Sequence, residues 1–280
     1  MAGELPRIDV VPLFPEERAA LLEVLRSLTP EQWALPTSCP GWSVQDIAAH
    51  LVADDLGRLS WQRDGAPGSV FQPTSAESFE TDLRDFINRQ NNLWVDTMRR
   101  FSAQVVLGML EWTGPSTQKH FESLEPDAPG LPVSWAGESE SPNWFDLARE
   151  YSERWIHQAQ IREAVGAPML YEMRLFQPLI ATMVRALPHT LRTLDAKDGA
   201  HIRIVVPTVR TAWSLVREGG RWQLVQPLPT LADATVELDG DTAWRVFTKN
   251  ISPANAKTRA KITGDEALGM RVLHAVAIVA

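Results

Sequence analysis

A carboxylate and an imidazole lie four residues apart at Glu153 and His157, in a segment whose pattern predicts a helix. Residues four apart on a helix lie one above the other on the same face, so both side chains can reach a single metal ion. The same spacing is also common between solvated side chains on an exposed helix face, which need no ion. The pair therefore indicates a metal site only if a further ligand joins it.

A third candidate ligand, His50, lies about a hundred residues earlier in a second predicted helix. It falls at the edge of the apolar stripe of that helix, with Asp46 one turn before it and Asp54 one turn after it. The alternative role is a partly buried histidine whose ring nitrogens are held by one of these aspartates. His50 can act as a ligand only if the two helices face each other.

The helix that carries the first pair has clear limits. Asn143 can cap it with Asp146 three residues further on, Gly166 can adopt the left-handed conformation that ends a helix, and Pro168 prevents its continuation. The pair then lies near the middle of about six turns. Glu150, seven residues before the histidine of the pair, is the substitute carboxylate ligand or a residue that orients a ligand.

Three further helices are predicted in the first half from apolar residues at helical spacing: Pro15–Leu28, a helix capped by Ser43, and Ala76–Trp112. Gly114 and Pro115 are predicted to end the last of these. Residues 29–42 and 115–142 are rich in proline and predict irregular connections. Four helical segments, each with one apolar face, predict a four-helix bundle, in which metal sites are built from facing helices.

The pattern changes after residue 168. Leu175–Leu194 predicts a helix kinked at Pro188, and a two-residue alternation follows. The strand-like segments are Ile202–Val206, Thr211–Val216, Trp222–Val225, Ala234–Leu238 and Arg259–Thr263, and the remaining helical segments are Gly240–Phe247 and Asp265–Val279. We therefore predict two domains: a four-helix bundle over residues 1–168, and a smaller α+β domain with a mostly antiparallel sheet over residues 169–280.

Composition argues against several classes of protein. A net charge of −8 without clusters of Lys and Arg argues against a general nucleic-acid binder. No apolar run is long enough to span a membrane, and the N-terminus lacks a signal-peptide pattern, which predicts a cytoplasmic protein. The single cysteine, Cys39, excludes an internal disulfide framework and is predicted to be a packed loop residue. Neither a nucleophile elbow nor a phosphate-binding glycine loop is present.

The phrase Pro36-Thr-Ser-Cys-Pro-Gly-Trp-Ser-Val-Gln-Asp-Ile-Ala-Ala-His50, with Glu153-x-x-x-His157 downstream, resembles the mycothiol-dependent maleylpyruvate isomerase family. The resemblance runs from about residue 15 to the end of the chain. It implies a DinB-like metal-binding four-helix bundle followed by a sterol-carrier-like domain. It also implies a divalent ion, usually zinc, held by His50, Glu153 and His157. Two imidazoles and one carboxylate leave an open coordination position, as in catalytic zinc sites.

The resemblance further implies two small-molecule partners, which are mycothiol or a similar low-molecular-weight thiol and a small electrophilic substrate. A coordinated thiol is deprotonated, and the thiolate is the nucleophile. In an isomerase the thiolate would add to a cis-enone and leave after bond rotation, whereas in a transferase it would stay attached. Family members often carry an acidic residue where this chain has Gln160. Because an amide cannot act as a base at neutral pH, the choice between these reactions stays open.

Other roles also stay open. Arginines that could anchor a substrate carboxylate, or be only surface charges, are Arg58, Arg154, Arg203 and Arg210. Histidines that lie at no ligand spacing, and to which no role is assigned, are His120, His189, His201 and His274. Two further functions fit the sequence: a carrier of an apolar ligand with a non-catalytic bundle, and a thiol-independent zinc hydrolase. The substrate, the identity of the metal and the oligomeric state are not predicted.

Overall fold

The computed structural model describes residues 3, 5–68, 71–75, 78–275 and 277. A mostly helical N-terminal region is followed by a smaller domain with a mostly antiparallel sheet, as predicted. The helices of the first region are α1 (Phe14–Ser27), α2 (Pro30–Trp33), α3 (Val44–Gly57), α4 (Phe79–Met98), α5 (Ala103–Glu122) and α6 (Asn143–Val165). None of the helices in these residues combines the length and apolar character needed to cross a bilayer.

The predicted cap of α3 is confirmed. Ser43 Oγ accepts the backbone N–H of Asp46, and the Asp46 carboxylate accepts the backbone N–H of Ser43, which forms a capping box. A second capping box, formed by Thr29 and Gln32, begins α2 inside the segment 29–42. The prediction that this whole segment is irregular was therefore wrong at its start.

The predicted helix Ala76–Trp112 was also wrong, because the structure divides it into α4 and α5. The division lies at residues 99–102, where Ser102 leaves the helical conformation and its Oγ accepts the N–H of Val105 to cap α5. Pro115 does not end α5 but lies inside it. An interior proline costs about 3 kcal/mol. Buried side chains before and after the proline offset this cost: Val106, Leu110, Thr113, Thr117 and Phe121.

Residues 123–142 contain more structure than the predicted irregular connection. Two short strands, β1 (Pro129–Gly130) and β2 (Ser141–Pro142), pair antiparallel, and a single 3₁₀ turn lies between them. The strand β2 leads directly into α6, whose bounds are those predicted from the sequence. The segment therefore holds a small hairpin at the start of the helix that carries Glu153 and His157.

The second region begins with α7 (Met173–Met183) and α8 (Leu187–Thr190), separated by a 3₁₀ turn at Val184–Ala186. The predicted interruption is present, but it precedes Pro188, which lies in the first turn of α8. Three short helices follow later in the chain: α9 (Gly240–Phe247), α10 (Pro253–Lys257) and α11 (Glu266–Met270). The predicted closing helix Asp265–Val279 was too long, since a 3₁₀ turn, Arg271–His274, follows α11 and residues 276 and 278–280 lie outside the described residues.

The sheet of the second region has five strands in the order β5-β4-β3-β6-β7. The strands are β3 (His201–Val206), β4 (Thr211–Glu218), β5 (Arg221–Val225), β6 (Ala234–Glu237) and β7 (Lys261–Gly264). Only the β3–β6 pair is parallel among these neighbours. The strands β4 and β5 form an antiparallel hairpin, and its two turn residues, Gly219 and Gly220, both adopt the positive φ that such a tight turn favours.

Contacts along the chain divide it into two compact groups. One consists mainly of Val10–Ala128 with Glu153–Leu170, and the other mainly of Pro129–Ser152 with Tyr171–Ile278. The predicted domain boundary at residue 168 stays a prediction. The helical group has one apolar core, to which α1, α3, α4, α5 and α6 contribute, with Leu25, Ile47, Leu51, Met98, Leu110 and Ile161 among its buried residues.

Candidate metal centre

Three side chains predicted to bind a metal converge in the helical group. His50 comes from α3, and Glu153 and His157 come from consecutive turns of α6. Glu153 Oε1 lies 3.0 Å from His157 Nε2 and 3.5 Å from His50 Nε2. One ligand atom from each residue lies within 4.8 Å of those of the other two. In the described part of the chain, no other group of three His, Cys, Asp or Glu side chains meets this condition.

The donor set fits a divalent ion. Ligand atoms that are 2.0–2.1 Å from a tetrahedral zinc ion lie about 3.3 Å apart, and the two shorter distances in this cluster are on either side of that value. The imidazoles of His50 and His157 are nearly buried, whereas the Glu153 side chain is 33% exposed. The centre is therefore closed on the histidine side and accessible beside the carboxylate.

The charge of Glu153 also favours a cation. Burial raises the pKa of Glu153, but the imidazoles of His157 and His50 outweigh this effect and hold the pKa well below its usual range. The carboxylate is thus ionised at neutral pH and can serve as the anionic ligand of the set.

The neighbouring aspartates of His50 have different roles. Burial raises the pKa of Asp46, but its bonds to Arg99 and Ser43 outweigh this and lower the pKa. Asp46 is thus occupied by the helix cap and the Arg99 ion pair. Asp54 Oδ2, by contrast, lies 3.6 Å from His50 Nε2. A second carboxylate therefore borders the centre beside His50.

Gln160 orients one of the histidines. Its Oε1 lies 2.8 Å from His157 Nδ1, so the ring N–H at that position donates to the amide oxygen. The opposite nitrogen, Nε2, then points at Glu153. Carboxylates and carbonyl oxygens commonly fix metal-binding histidines in this way. Gln160, where the resemblance implied an acidic residue, therefore contacts the candidate ligand set directly.

Trp42 forms a wall of the centre that the sequence analysis did not assign. The centroid of its ring lies 5.2 Å from that of His50 and 6.4 Å from that of His157, and its Nε1 donates to Asn92 Oδ1. The preceding Gly41 adopts φ 79°, a conformation that glycine reaches without strain and that shapes the turn before α3. The Cys-Pro-Gly-Trp phrase was the signal that could have placed Trp42 beside His50.

A second polar stripe on α6 was also missed. Arg154 Nη1 donates to Asp55 Oδ1 at 2.7 Å, Gln158 Nε2 donates to Glu17 Oε1 at 2.6 Å, and Arg162 Nη2 donates to the Ala20 carbonyl at 3.0 Å. All three α6 side chains are buried. Their spacing of four residues was the available signal. This stripe connects α6 to α1 and α3, while Glu153, His157 and Gln160 form the candidate centre.

The arginines singled out in the sequence lie in different surroundings. Arg154 is buried in the ion pair with Asp55, and Arg58 is buried with Nη1 bonded to Gln62 Oε1, so neither is a surface charge. In the other group, Arg203 donates to the Leu228 carbonyl, and Arg210 is exposed.

Cys39 is partly buried beside the helical core. Burial, together with the charges of Glu153 and Asp46, raises its pKa to about 11. The thiol is therefore protonated at neutral pH, as expected of a packed loop cysteine rather than a nucleophile.

Glu150, the predicted substitute carboxylate, is not part of the ligand cluster found among the described residues. The four histidines without an assigned role also lie outside that cluster. His120 Nε2 contacts Gln62 Oε1, and His201 Nε2 contacts Ser214 Oγ. His189 borders Gly137, and His274 is exposed.

Comparisons with known proteins concern the family and the fold of the chain. Residues 14–162, just over half of the chain, match the family model described as the mycothiol maleylpyruvate isomerase N-terminal domain. A crystal structure of the mycothiol-dependent maleylpyruvate isomerase matches with a TM-score of 0.52 and 12% identity, covering 86% of this chain and 88% of that one. The structure of a histidine-to-alanine mutant of that isomerase matches equally well. At this identity the structural likeness concerns the fold alone. No curated protein sequence matches this chain. From the family-model match, the chain belongs to the mycothiol maleylpyruvate isomerase family.

Proposed function

We propose that this protein is a metal-dependent enzyme that uses a low-molecular-weight thiol, mycothiol or a similar molecule, either to isomerise a small electrophilic substrate or, as an S-transferase, to attach the thiol sulfur to it. The observation that carries the proposal is the convergence of His50, Glu153 and His157. Membership of the family supports the thiol as cosubstrate. Zinc is the ion that this donor set fits best.

The chain's own residues divide the work at the centre. His50, Glu153 and His157 would hold the ion, which when bound would supply a position where a thiol loses its proton. Gln160 fixes the ring of His157, so that Nε2 stays directed at the centre. The Trp42 ring packs beside both imidazoles and forms one wall of the centre.

Asp54 is the residue best placed to receive a proton. Its Oδ2 lies 3.6 Å from His50 Nε2, and its side chain is 23% exposed. The side chain is thus partly open to solvent, whereas Oδ2 itself is buried at the centre. Gln160, whose amide has no basic site at neutral pH, cannot take this role.

The metal part of the proposal is tested by elemental analysis of the purified wild-type chain, His157→Ala and the exposed control His274→Ala. We expect about one ion per chain in the wild-type and control proteins and loss of the ion in His157→Ala. If the wild-type chain holds no ion even after reconstitution with zinc, the metal enzyme is excluded and a non-catalytic carrier of an apolar ligand becomes the better account.

The thiol part is tested by turnover of a maleylpyruvate-type electrophile by the metal-loaded chain, with and without mycothiol. We expect turnover only when the thiol is present. Mass spectrometry of the product then separates the two reactions, because an isomerase releases the thiol and a transferase leaves it attached. Turnover without any thiol would contradict this part and indicate a zinc hydrolase.

A further inference from the structure

A cavity of about 610 Å³ lies between α1 and α5 in the helical group. This volume is within the range of small-molecule sites, about 300–1,000 Å³. Its walls are largely apolar, and they include Phe14, Leu22, Leu110, Pro115 and Phe121. None of the three candidate metal ligands lines it. The cavity is therefore a separate feature from the metal centre.

Arg18 places a guanidinium group in the wall of this cavity. Its Nη1 donates to the Leu110 carbonyl and lies 2.9 Å from Asp55 Oδ2, and its Nη2 donates to Asp55 Oδ1 at 2.9 Å. A guanidinium has five N–H donors. Within the described residues, the Nε–H and one Nη2–H of Arg18 are not engaged by these bonds. The side chain can accordingly donate to an anionic group in the cavity.

The lining of the cavity contains three arginines, Arg18, Arg26 and Arg154, and one carboxylate, Glu111. Arg18 and Arg154, which both line it, share the single carboxylate of Asp55. Arg26 at the rim is already paired with Glu111 at 2.7 Å. Glu17 is buried with its carboxylate bonded to Gln158, and burial raises its pKa despite the charges of Arg18 and Arg154. Neither Asp55 nor Glu17 lines the cavity, so the charge that the cavity wall presents is mainly that of the arginines.

Gln118 adds a second polar group to the lining. Its Nε2 donates to the Val11 carbonyl and to Glu122, while its Oε1 is buried and accepts no hydrogen bond within the described part of the chain. This oxygen is an acceptor and an ionised carboxylate has no donor, so Gln118 is a polar part of the wall and not the group that binds an anion. The lining thus offers apolar walls, one anion-binding group and one acceptor.

We infer that this cavity is a second binding site, for a small amphipathic molecule with an aromatic or aliphatic body and one carboxylate, which Arg18 binds. Apolar walls with a few placed polar groups are the general form of such sites. A guanidinium binds a carboxylate through two parallel N–H groups, whereas it gains little from an alcohol of the same shape. The charge of the ligand is therefore the distinguishing feature of the site.

The chain offers a matched pair of glycines for the test. An added Cβ at Gly114 would lie 3.6 Å from Arg18 Cγ, so a leucine side chain there enters the cavity. Gly108 lies on the same helix, is exposed, and has nothing within 4 Å of an added Cβ. Both substitutions raise helix propensity by about 0.8 kcal/mol, so neither is expected to unfold α5.

The probes are 4-phenylbutyrate and its neutral analogue 4-phenylbutan-1-ol, with binding measured by calorimetry and ligand-observed NMR on the full-length chain. We expect 4-phenylbutyrate to bind the wild-type chain with Kd below about 1 mM. Gly114→Leu should weaken this binding at least about tenfold, and Gly108→Leu should leave it unchanged. Arg18→Met should reduce the affinity for the acid but not for the alcohol. Binding that survives Gly114→Leu, or equal binding of acid and alcohol, would overturn the inference.

The metal-free variant His157→Ala separates this site from the metal centre, since a carboxylate could also bind an ion there. The acid should bind His157→Ala as it binds the wild-type chain. If its binding disappears together with the metal, the acid occupies the metal centre and the second site is refuted. If Arg18→Met fails to fold, the pair of glycine variants still decides the question.

Discussion

Arg154 donates a hydrogen bond of 2.7 Å to Asp55 in the helical interior. The residues that precede these two in the sequence, Glu153 and Asp54, both border His50. Glu153 Oε1 and Asp54 Oδ2 lie 3.5 and 3.6 Å from His50 Nε2. Because adjacent residues on a helix point in different directions, the ion pair fixes the rotation of α6 against α3 at the turn that carries the candidate ligands.

Removal of the carboxylate of this ion pair should destabilise the fold strongly. In Asp55→Ala, both Arg18 and Arg154 lose their shared counter-charge, and breaking a buried pair from one side typically costs about 3–5 kcal/mol. The free energy of unfolding in urea measures the effect. Asp96→Ala is the control, because Asp96 is 68% exposed and its pair with Arg99 is a surface pair worth at most about 1 kcal/mol. Similar losses in both variants would contradict the assigned role of Asp55.

The free energy of unfolding should also depend on pH, because of the carboxyl group of Asp55. Burial raises the pKa of Asp55, but the charges of Arg154 and Arg18 outweigh this and lower it to about 2. A carboxyl whose pKa is lower in the folded than in the unfolded chain adds stability above the unfolded pKa of about 3.9. That stability is lost as the pH falls towards the folded pKa.

We therefore expect the difference in unfolding free energy between the wild-type chain and Asp55→Asn to be largest above about pH 4. It should shrink by about 2 kcal/mol between pH 4 and pH 2. Urea unfolding at a series of pH values measures it, with Asp96→Asn as the exposed control. A difference that does not change over this range would show that Asp55 is not held ionised in the folded state.

The contact between Gln160 and His157 should strengthen metal binding. This effect can be measured as an affinity, without an assay of turnover. Gln160→Leu removes the acceptor for His157 Nδ1–H, and loss of such an orienting group typically lowers metal affinity about 10–100-fold. Gln160→Glu keeps an acceptor oxygen and should retain the affinity. Competition with a chelator measures the zinc affinity, and thermal melts of the metal-free proteins show whether the variants fold. Equal affinity of the leucine variant and the wild-type chain would refute the orienting role.

Cys39 should react slowly with alkylating reagents. Its pKa of about 11 leaves about one thiol in a thousand ionised at pH 8, compared with about one in four for an ordinary cysteine. Alkylation by iodoacetamide, followed by mass spectrometry, should be about two orders of magnitude slower in the folded than in the urea-unfolded chain. The chain has a single cysteine, so the label reports this site alone. Equal rates at pH 8 would show that Cys39 is not shielded.

Local sequence signals predicted α6 and the start of α3 well. Gly166, with φ 69°, and the Ser43–Asp46 box each act within one turn of the helix end that they mark, and α6 begins at Asn143 as predicted. The four-residue spacing of Glu153 and His157 likewise predicted two side chains on one helix face. These features depend on neighbours in sequence, which is why they could be read from the chain.

Features that depend on distant packing were predicted less well. Pro115 remains inside α5 because Thr117 and Phe121 are buried beyond it, and the polar residues Arg154 and Gln158 are buried because Asp55 and Glu17 receive them. A proline normally predicts an end, and an arginine normally predicts the surface. Only the partners supplied by other helices reverse these preferences. The convergence of His50 with α6 required the fold for the same reason.

The two stripes of α6 have a consequence for how this chain can change in evolution. Deleting or inserting one residue between Glu153 and His157 would rotate the rest of the helix by about 100°. Gln158 and Arg162 would then leave their partners in α1 at the same moment as His157 left the candidate centre. We therefore expect length variation to be tolerated in the loops on either side of the helix, while the interval from residue 153 to residue 162 is inherited at constant length.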